Sequence, residues 1–118
     1  MNEVIRTERG WAGHFISASR CRFRRNTLLE CGDKRIVVST VGAMDNGEPV
    51  GYNRYYETMA FWAKKNGIYW DANTAKQAPF KSRWYIGTLS GTSDAEANAV
   101  HEAVVAELSE RLQKRNTP

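Results

Sequence analysis

Histidine and cysteine are scarce in this chain, two of each among 118 residues, and neither falls into a spacing that chemistry uses. Nine residues separate Cys21 from Cys31, while His14 and His101 lie far apart. That pattern matches none of the compact ligand pairs of structural zinc sites, so no metal is expected. No apolar run reaches the eighteen or so residues that a membrane-spanning helix needs, and no apolar segment of secretory type follows Met1. A cytoplasmic, reducing compartment and no membrane partner are therefore expected, with the two thiols as small buried hydrophobes rather than a disulfide. Internal repeats, low-complexity tracts and linkers are also lacking, which excludes solenoids and strings of domains.

The length fits one domain, residues 1–118, with one core and no room for separate cofactor and substrate domains. Hydrophobic residues make up 42% and charged residues 25%, ordinary globular usage that speaks against wholesale disorder. The net charge of +4 is too small to imply nucleic acid by itself. Its distribution says more. Bases crowd into Arg20 to Arg25, whereas Asp94 to Glu110 holds five acids and no Lys or Arg.

In Arg20-Cys21-Arg22-Phe23-Arg24-Arg25, cation alternates with apolar side chain. Period two places Arg20, Arg22 and Arg24 on one face of a strand, and Cys21 and Phe23 on the other. Gly32-Asp33 suits a two-residue hairpin turn. The register it implies opposes Cys31 to Lys34, Glu30 to Arg35, Leu29 to Ile36 and Thr27 to Val38, so a charge pair and an apolar pair both fall into place. Arg20, Arg22, Arg24, Glu30 and Arg35 then form an outward face. Arg25 has the apolar parity, which leaves either a bulge near Asn26 or a side chain reaching the sheet's rim.

A loop over Asp45 to Gly51 precedes a strand from Arg54 to Trp62. Asn66-Gly67 signals a second hairpin, with Lys65 opposite Ile68, Ala63 opposite Trp70 and Phe61 opposite Ala72. One of its faces carries Tyr56, Thr58, Trp62, Lys64, Tyr69 and Asp71, and that amphipathic surface either meets a partner or packs under a helix. Asn73 to Ser82 reads as a loop and Arg83 to Leu89 as a further strand. Ser93-Asp94-Ala95-Glu96 is a capping box that opens a helix from about Asp94 to Lys114, with Ala97, Val100, Val104 and Leu108 at helical spacing. The expected fold is α+β: an antiparallel sheet of about five strands with one C-terminal amphipathic helix packed on it.

Chemistry is thin. His14 or His101 beside Cys21 or Cys31 makes a conceivable thiol–imidazole pair, and Glu57 a conceivable general base, but no nucleophile, base and oxyanion donor fall into one pattern. Gly87 to Ser93 resembles a phosphate-binding turn without the P-loop lysine, and Asp94 and Glu96 would repel phosphate there. No catalytic residue and no cofactor are expected. Binding is the expected activity, through Arg20, Arg22, Arg24, Arg35, Arg54, Tyr56, Trp62 and Tyr69. The partner expected is a protein with an acidic surface, and nucleic acid is the alternative, with arginines on phosphates and aromatic rings stacking on bases.

The segments Gly-Trp-Ala-Gly-His-Phe-Ile at Gly10, Cys-Arg-Phe-Arg-Arg-Asn-Thr-Leu-Leu-Glu-Cys-Gly-Asp at Cys21 and Ile-Val-Val-Ser-Thr-Val-Gly at Ile36 resemble small uncharacterised proteins of phages and mobile elements. Arg54 to Met59 and the helix around Asn98 to Val105 extend the resemblance over most of the chain. It implies a stoichiometric inhibitor of host defence machinery, of which anti-CRISPR proteins are one kind. It carries no catalytic set.

Overall fold

The computed structural model describes residues 3–9, 19–50, 55–77, 83–86 and 93–115. Within them the chain forms β1 (Ile5–Glu8), β2 (Cys21–Cys31), β3 (Lys34–Met44), β4 (Tyr56–Asn66), β5 (Tyr69–Gln77), β6 (Arg83–Ile86) and a C-terminal helix α1 (Asp94–Arg115). All strand pairs are antiparallel, in the order β1-β2-β3-β4-β5, and the short β6 adds to β4. An antiparallel sheet with one C-terminal helix is the expected α+β architecture.

The β2–β3 hairpin has the register that the sequence implies, with Cys31 opposite Lys34, Glu30 opposite Arg35, Leu29 opposite Ile36 and Thr27 opposite Val38. Pairing runs unbroken from Phe23 to Cys31, so no bulge occurs at Asn26. Arg25 instead reaches the rim on the helix side.

The second hairpin departs from expectation. Asn66 pairs with Tyr69, Lys65 with Trp70 and Ala63 with Ala72, so Gly67-Ile68 rather than Asn66-Gly67 forms the two-residue turn. Gly67 has φ 64°, and Ile68 has no positive φ. Glycine with positive φ at the first central position is the type II′ arrangement, whose twist matches the strands it joins. Each partner moves by two residues, which preserves the faces. Phe61 meets Gln77 rather than Ala72, because the register shifts between Phe61 and Ala63. Asn73 to Gln77 therefore belongs to β5 and not to a loop.

α1 lies across β2, β3 and β4. Leu29, Cys31, Ile36, Val38 and Ala60 of the sheet enclose one core with Val104, Val105, Leu108 and Leu112 of the helix. These are the odd positions of β2 and the even positions of β3 and β4, so the helical period meets the strand period on one face. Each fully buried leucine is worth roughly 1.5–3 kcal/mol, enough for the helix to be integral to the fold. At its N-terminus the Glu96 amide donates to Ser93 Oγ at 3.3 Å and the Ala97 amide to the Ser93 carbonyl at 3.0 Å, which makes Ser93 the cap.

The opposite face of the sheet is not open along its length. Asn26, Leu28, Val37, Ser39, Val41, Glu57, Met59 and Phe61 on that face are all buried. The expected outward face therefore exists only at its two ends, at Arg22 and Arg24 and at Glu30 and Arg35. The sheet also curls. Arg9, one residue past β1, forms an ion pair with Asp71 of β5 at 3.0 Å, and its guanidinium stands 4.6 Å from the centre of the Tyr69 ring. β1 and β5 terminate the five-strand path, so this contact ties its two ends together.

Candidate functional site: a basic end and a buried polar relay

Arg20, Arg22 and Arg24 enter β2 at the end remote from the Gly32-Asp33 turn. Arg20 is exposed and pairs with the exposed Asp45 at 3.3 Å, while its carbonyl accepts from the Asp45 amide at 2.9 Å. Arg22 is exposed, and its Nε donates to the Ala43 carbonyl at 3.4 Å, where Ala43 has φ 53°. Arg24 is half-buried. Neither Arg22 nor Arg24 has a carboxylate partner among the described residues. Cys21, between Arg20 and Arg22, sits in a small cluster with Val41 and Met44. Burial pushes its thiol pKa up, against the thiolate that a nucleophile requires.

Arg6, Arg25 and Arg35 of the sheet are compensated. Arg35 pairs with Glu30 at 2.9 Å and stacks on Trp70 with its guanidinium 4.4 Å from the ring centre. Arg6 holds Glu102 of α1 through both nitrogens, at 2.7 and 2.5 Å, and also reaches Glu8. Arg25 bridges Glu8 at 2.7 Å and Glu102 at 3.0 Å, and touches Asn98. The two arginines hold the Glu102 carboxyl down at about 2. At Glu8, burial acts upward and is outweighed by hydrogen bonds from Arg25, Thr27 and Arg6, so its pKa is lowered. Within α1, Arg111 pairs with Glu107 and Lys114 with Glu110. The acidic stretch of the helix is thus largely consumed internally, whereas Arg22 and Arg24 keep no carboxylate among the described residues.

Beneath the ion pairs lies a relay of polar side chains that the sequence does not announce. Thr27 Oγ donates to Glu8 Oε2 at 2.7 Å and lies 2.7 Å from His101 Nε2. On the other side of the ring, Thr40 Oγ lies 2.8 Å from Nδ1 and 2.8 Å from Thr58 Oγ. A threonine has one proton to give. Because Thr27 gives its own to Glu8, its oxygen accepts from His101 Nε2–H. The neutral ring then accepts a hydrogen bond at Nδ1 from the Thr40 hydroxyl, whose oxygen accepts from Thr58. Every donor in the chain points towards the Glu8 carboxylate. Burial, seconded by the positive charge of Arg25, lowers the His101 pKa to about 4, in keeping with a neutral ring.

This relay ends in the core and has no reactive opening. His101, Thr27, Thr40 and Thr58 are fully buried, and both ring nitrogens are satisfied by threonines. That arrangement removes the conceivable pairing of His101 with either cysteine. Cys31 lies in the apolar core with Val104 and Leu108, and both cysteines are free thiols. Glu57 is buried on the sheet face away from α1, opposite Val41 and Tyr85 in register, with no imidazole or thiol beside it in the strand pairing. Among the described residues no three potential metal ligands cluster, and no helix is long and apolar enough to cross a membrane.

The aromatic face divides. Tyr56 and Thr58 pack under α1, as one of the two readings had it. Tyr56 is only 5% exposed, its ring meets Phe23 edge-on at 5.8 Å, and its hydroxyl donates to Asp94 at 2.7 Å. Burial and the neighbouring Asp94 push that phenol up to about 12. Tyr56 is therefore a structural residue and leaves the candidate surface. Trp62 is half-buried against the core, and Tyr69 is exposed at the Gly67-Ile68 turn. Arg54 and His14 lie outside the described residues, as does the turn from Gly87 to Thr92.

Comparison with known proteins finds no matching family model, no matching curated protein and no matching solved structure.

Proposed function

We propose that this protein works by binding and not by turnover, with the basic end of the sheet at Arg20, Arg22 and Arg24 as its contact surface and an acidic patch of a protein as its partner. The observation that carries this reading is the sorting of arginines. Arg6, Arg9, Arg25 and Arg35 each hold a carboxylate within 3.1 Å, whereas Arg22 and Arg24 hold none among the described residues. Cations left uncompensated on neighbouring alternate positions, about 7 Å apart along the strand, favour an anionic counterpart and speed its encounter. The buried, satisfied state of His101 and the raised thiol pKa of Cys21 support the same reading, since the candidate chemical groups are tied up in the fold. A stoichiometric inhibitor of host defence machinery, the role implied by the resemblance to phage proteins, has this character.

Nucleic acid would meet the same arginines through phosphates, and salt separates the two. Titration of mixed single- and double-stranded oligonucleotides is expected to show only weak binding, abolished as salt rises. Tight binding whose logarithmic salt slope falls by about one when Arg22 is neutralised would replace the protein partner with nucleic acid.

A further inference from the structure

Pairing between β3 and β4 stops at Ile36 opposite Trp62, yet β3 begins at Lys34 and β4 continues to Asn66. Beyond that point the two strands part. A groove of about 260 Å³ occupies the parting, lined by Asp33, Lys34, Arg35, Trp62, Ala63 and Trp70. Ala63, on the same face of β4 as the pairing partner of Trp70, contributes a small side chain to the lining. The register shift between Phe61 and Ala63 lies at the same place, and Trp70 pairs with Lys65 on the face of β4 opposite to that of Trp62. Two features fix the walls. Trp62 packs against the core, and Trp70 is held under the Arg35 guanidinium, which Glu30 anchors at 2.9 Å. Lys34 and Arg35 also have no ladder partner on β4, so the groove borders a stretch of strand edge as well as two cations.

We propose that this groove is a binding site for a planar aromatic ring carrying a phosphate, the chemistry of a nucleoside monophosphate. The volume falls just below the range of pockets that enclose whole drug-sized ligands and suits one ring system with its charged group at the mouth. Indole faces stack on heteroaromatic rings. The Lys34 ammonium and the Arg35 guanidinium supply the anion contacts, with arginine offering the forked geometry that phosphate oxygens match. Asp33 at the rim disfavours a second negative group there and so favours a monophosphate over a longer chain. The site is separate from the basic end proposed above, about 20 Å from Arg24 along β2 to Glu30, which opposes Arg35.

The test is a titration of the full chain with AMP, adenosine and inorganic phosphate in turn, followed through the indole N–H signals of the four tryptophans assigned with single Trp→Phe variants. A short oligonucleotide, (dA)6, distinguishes a free nucleotide from a nucleotide within a strand. AMP is expected to shift the Trp62 and Trp70 signals in a saturable way with a midpoint below about 1 mM, with adenosine and phosphate each at least about fivefold weaker. Ala63→Leu, which fills the groove and leaves every charge in place, should abolish the shifts. Lys34→Glu should weaken AMP but not adenosine, and serves the same purpose if Ala63→Leu does not fold. (dA)6 binding no tighter than AMP assigns the site to the free nucleotide, and much tighter binding that persists in Ala63→Leu would overturn the groove as the site. Phosphate alone binding as well as AMP, or AMP failing to shift Trp62 and Trp70 at several millimolar, would overturn the proposal.

Discussion

His101 Nε2 lies 2.7 Å from Thr27 Oγ, and both groups are wholly buried. The Thr27 hydroxyl donates in turn to Glu8, so helix, central sheet and edge strand are joined through one neutral imidazole.

The first prediction follows from the sign of that group's shift. The folded pKa is about 4 against an ordinary value of 6.5, so between these values the unfolded chain binds the extra proton. Stability is therefore complete above about pH 6.5 and declines as pH falls towards 4, by up to roughly 3 kcal/mol at about 1.4 kcal/mol per unit. Urea unfolding at pH 7.5 and pH 5 should show the loss, and His101→Gln should show little of it. An equal loss in that variant would place the titration elsewhere. His101→Ala, which leaves Thr27 and Thr40 unpaired around a cavity, should cost about 2–4 kcal/mol at pH 7.5.

The second prediction concerns a close approach across the sheet. A Cβ on Gly42 would collide with the Tyr56 ring and the Tyr55 carbonyl, and Tyr56 cannot swing aside because Phe23 and Asp94 hold it. Gly42→Ala should cost about 1–3 kcal/mol, whereas Gly47→Ala, with open space around it but φ 77°, should cost about 1 kcal/mol from backbone strain alone. Thermal melts of both variants check the ranking.

The third prediction weighs the ion pairs above the relay. Glu102 is held by two arginines, but its side chain is 46% exposed, so solvent screens most of the gain. Glu102→Gln should cost no more than about 1 kcal/mol, and less at high salt. Ser93→Ala, which removes the cap from α1, should cost about the same. Truncation after Gly91 differs in kind, since it removes Val104, Val105, Leu108 and Leu112 from the core and should yield insoluble protein.

How much of this was legible in the sequence depended on the distance between partners along the chain. The β2–β3 register could be read residue by residue because Glu30–Arg35 and Leu29–Ile36 check each other across a tight turn. The helix was legible from its cap and from Ala97, Val104 and Leu108. At the second hairpin the same logic missed by two residues, because Asn66-Gly67 and Gly67-Ile68 both offer a glycine to the turn; the opposition of Lys64 to Asp71, which only the second allows, is the signal that distinguishes them. β1 went unread because Ile-Arg-Thr-Glu has no apolar alternation and all four residues are exposed. The relay joins Glu8, Thr27, Thr40, Thr58 and His101 from five elements. Only the parity of Thr27 with the buried face, and a lone histidine on the packed side of a helix, hinted at it.

The central claim is that Arg20, Arg22 and Arg24 bind an acidic protein surface without turnover. Its most direct measurement compares wild type with the triple variant Arg20→Glu, Arg22→Glu, Arg24→Glu by quantitative affinity capture from nuclease-treated lysate, alongside circular dichroism and melting of both proteins. The account predicts equal folding, since two of the three side chains are exposed and none packs in the core, with a protein retained near one copy per copy of wild type and lost from the variant. Retention of the same protein by both, or unfolding of the variant, would contradict it.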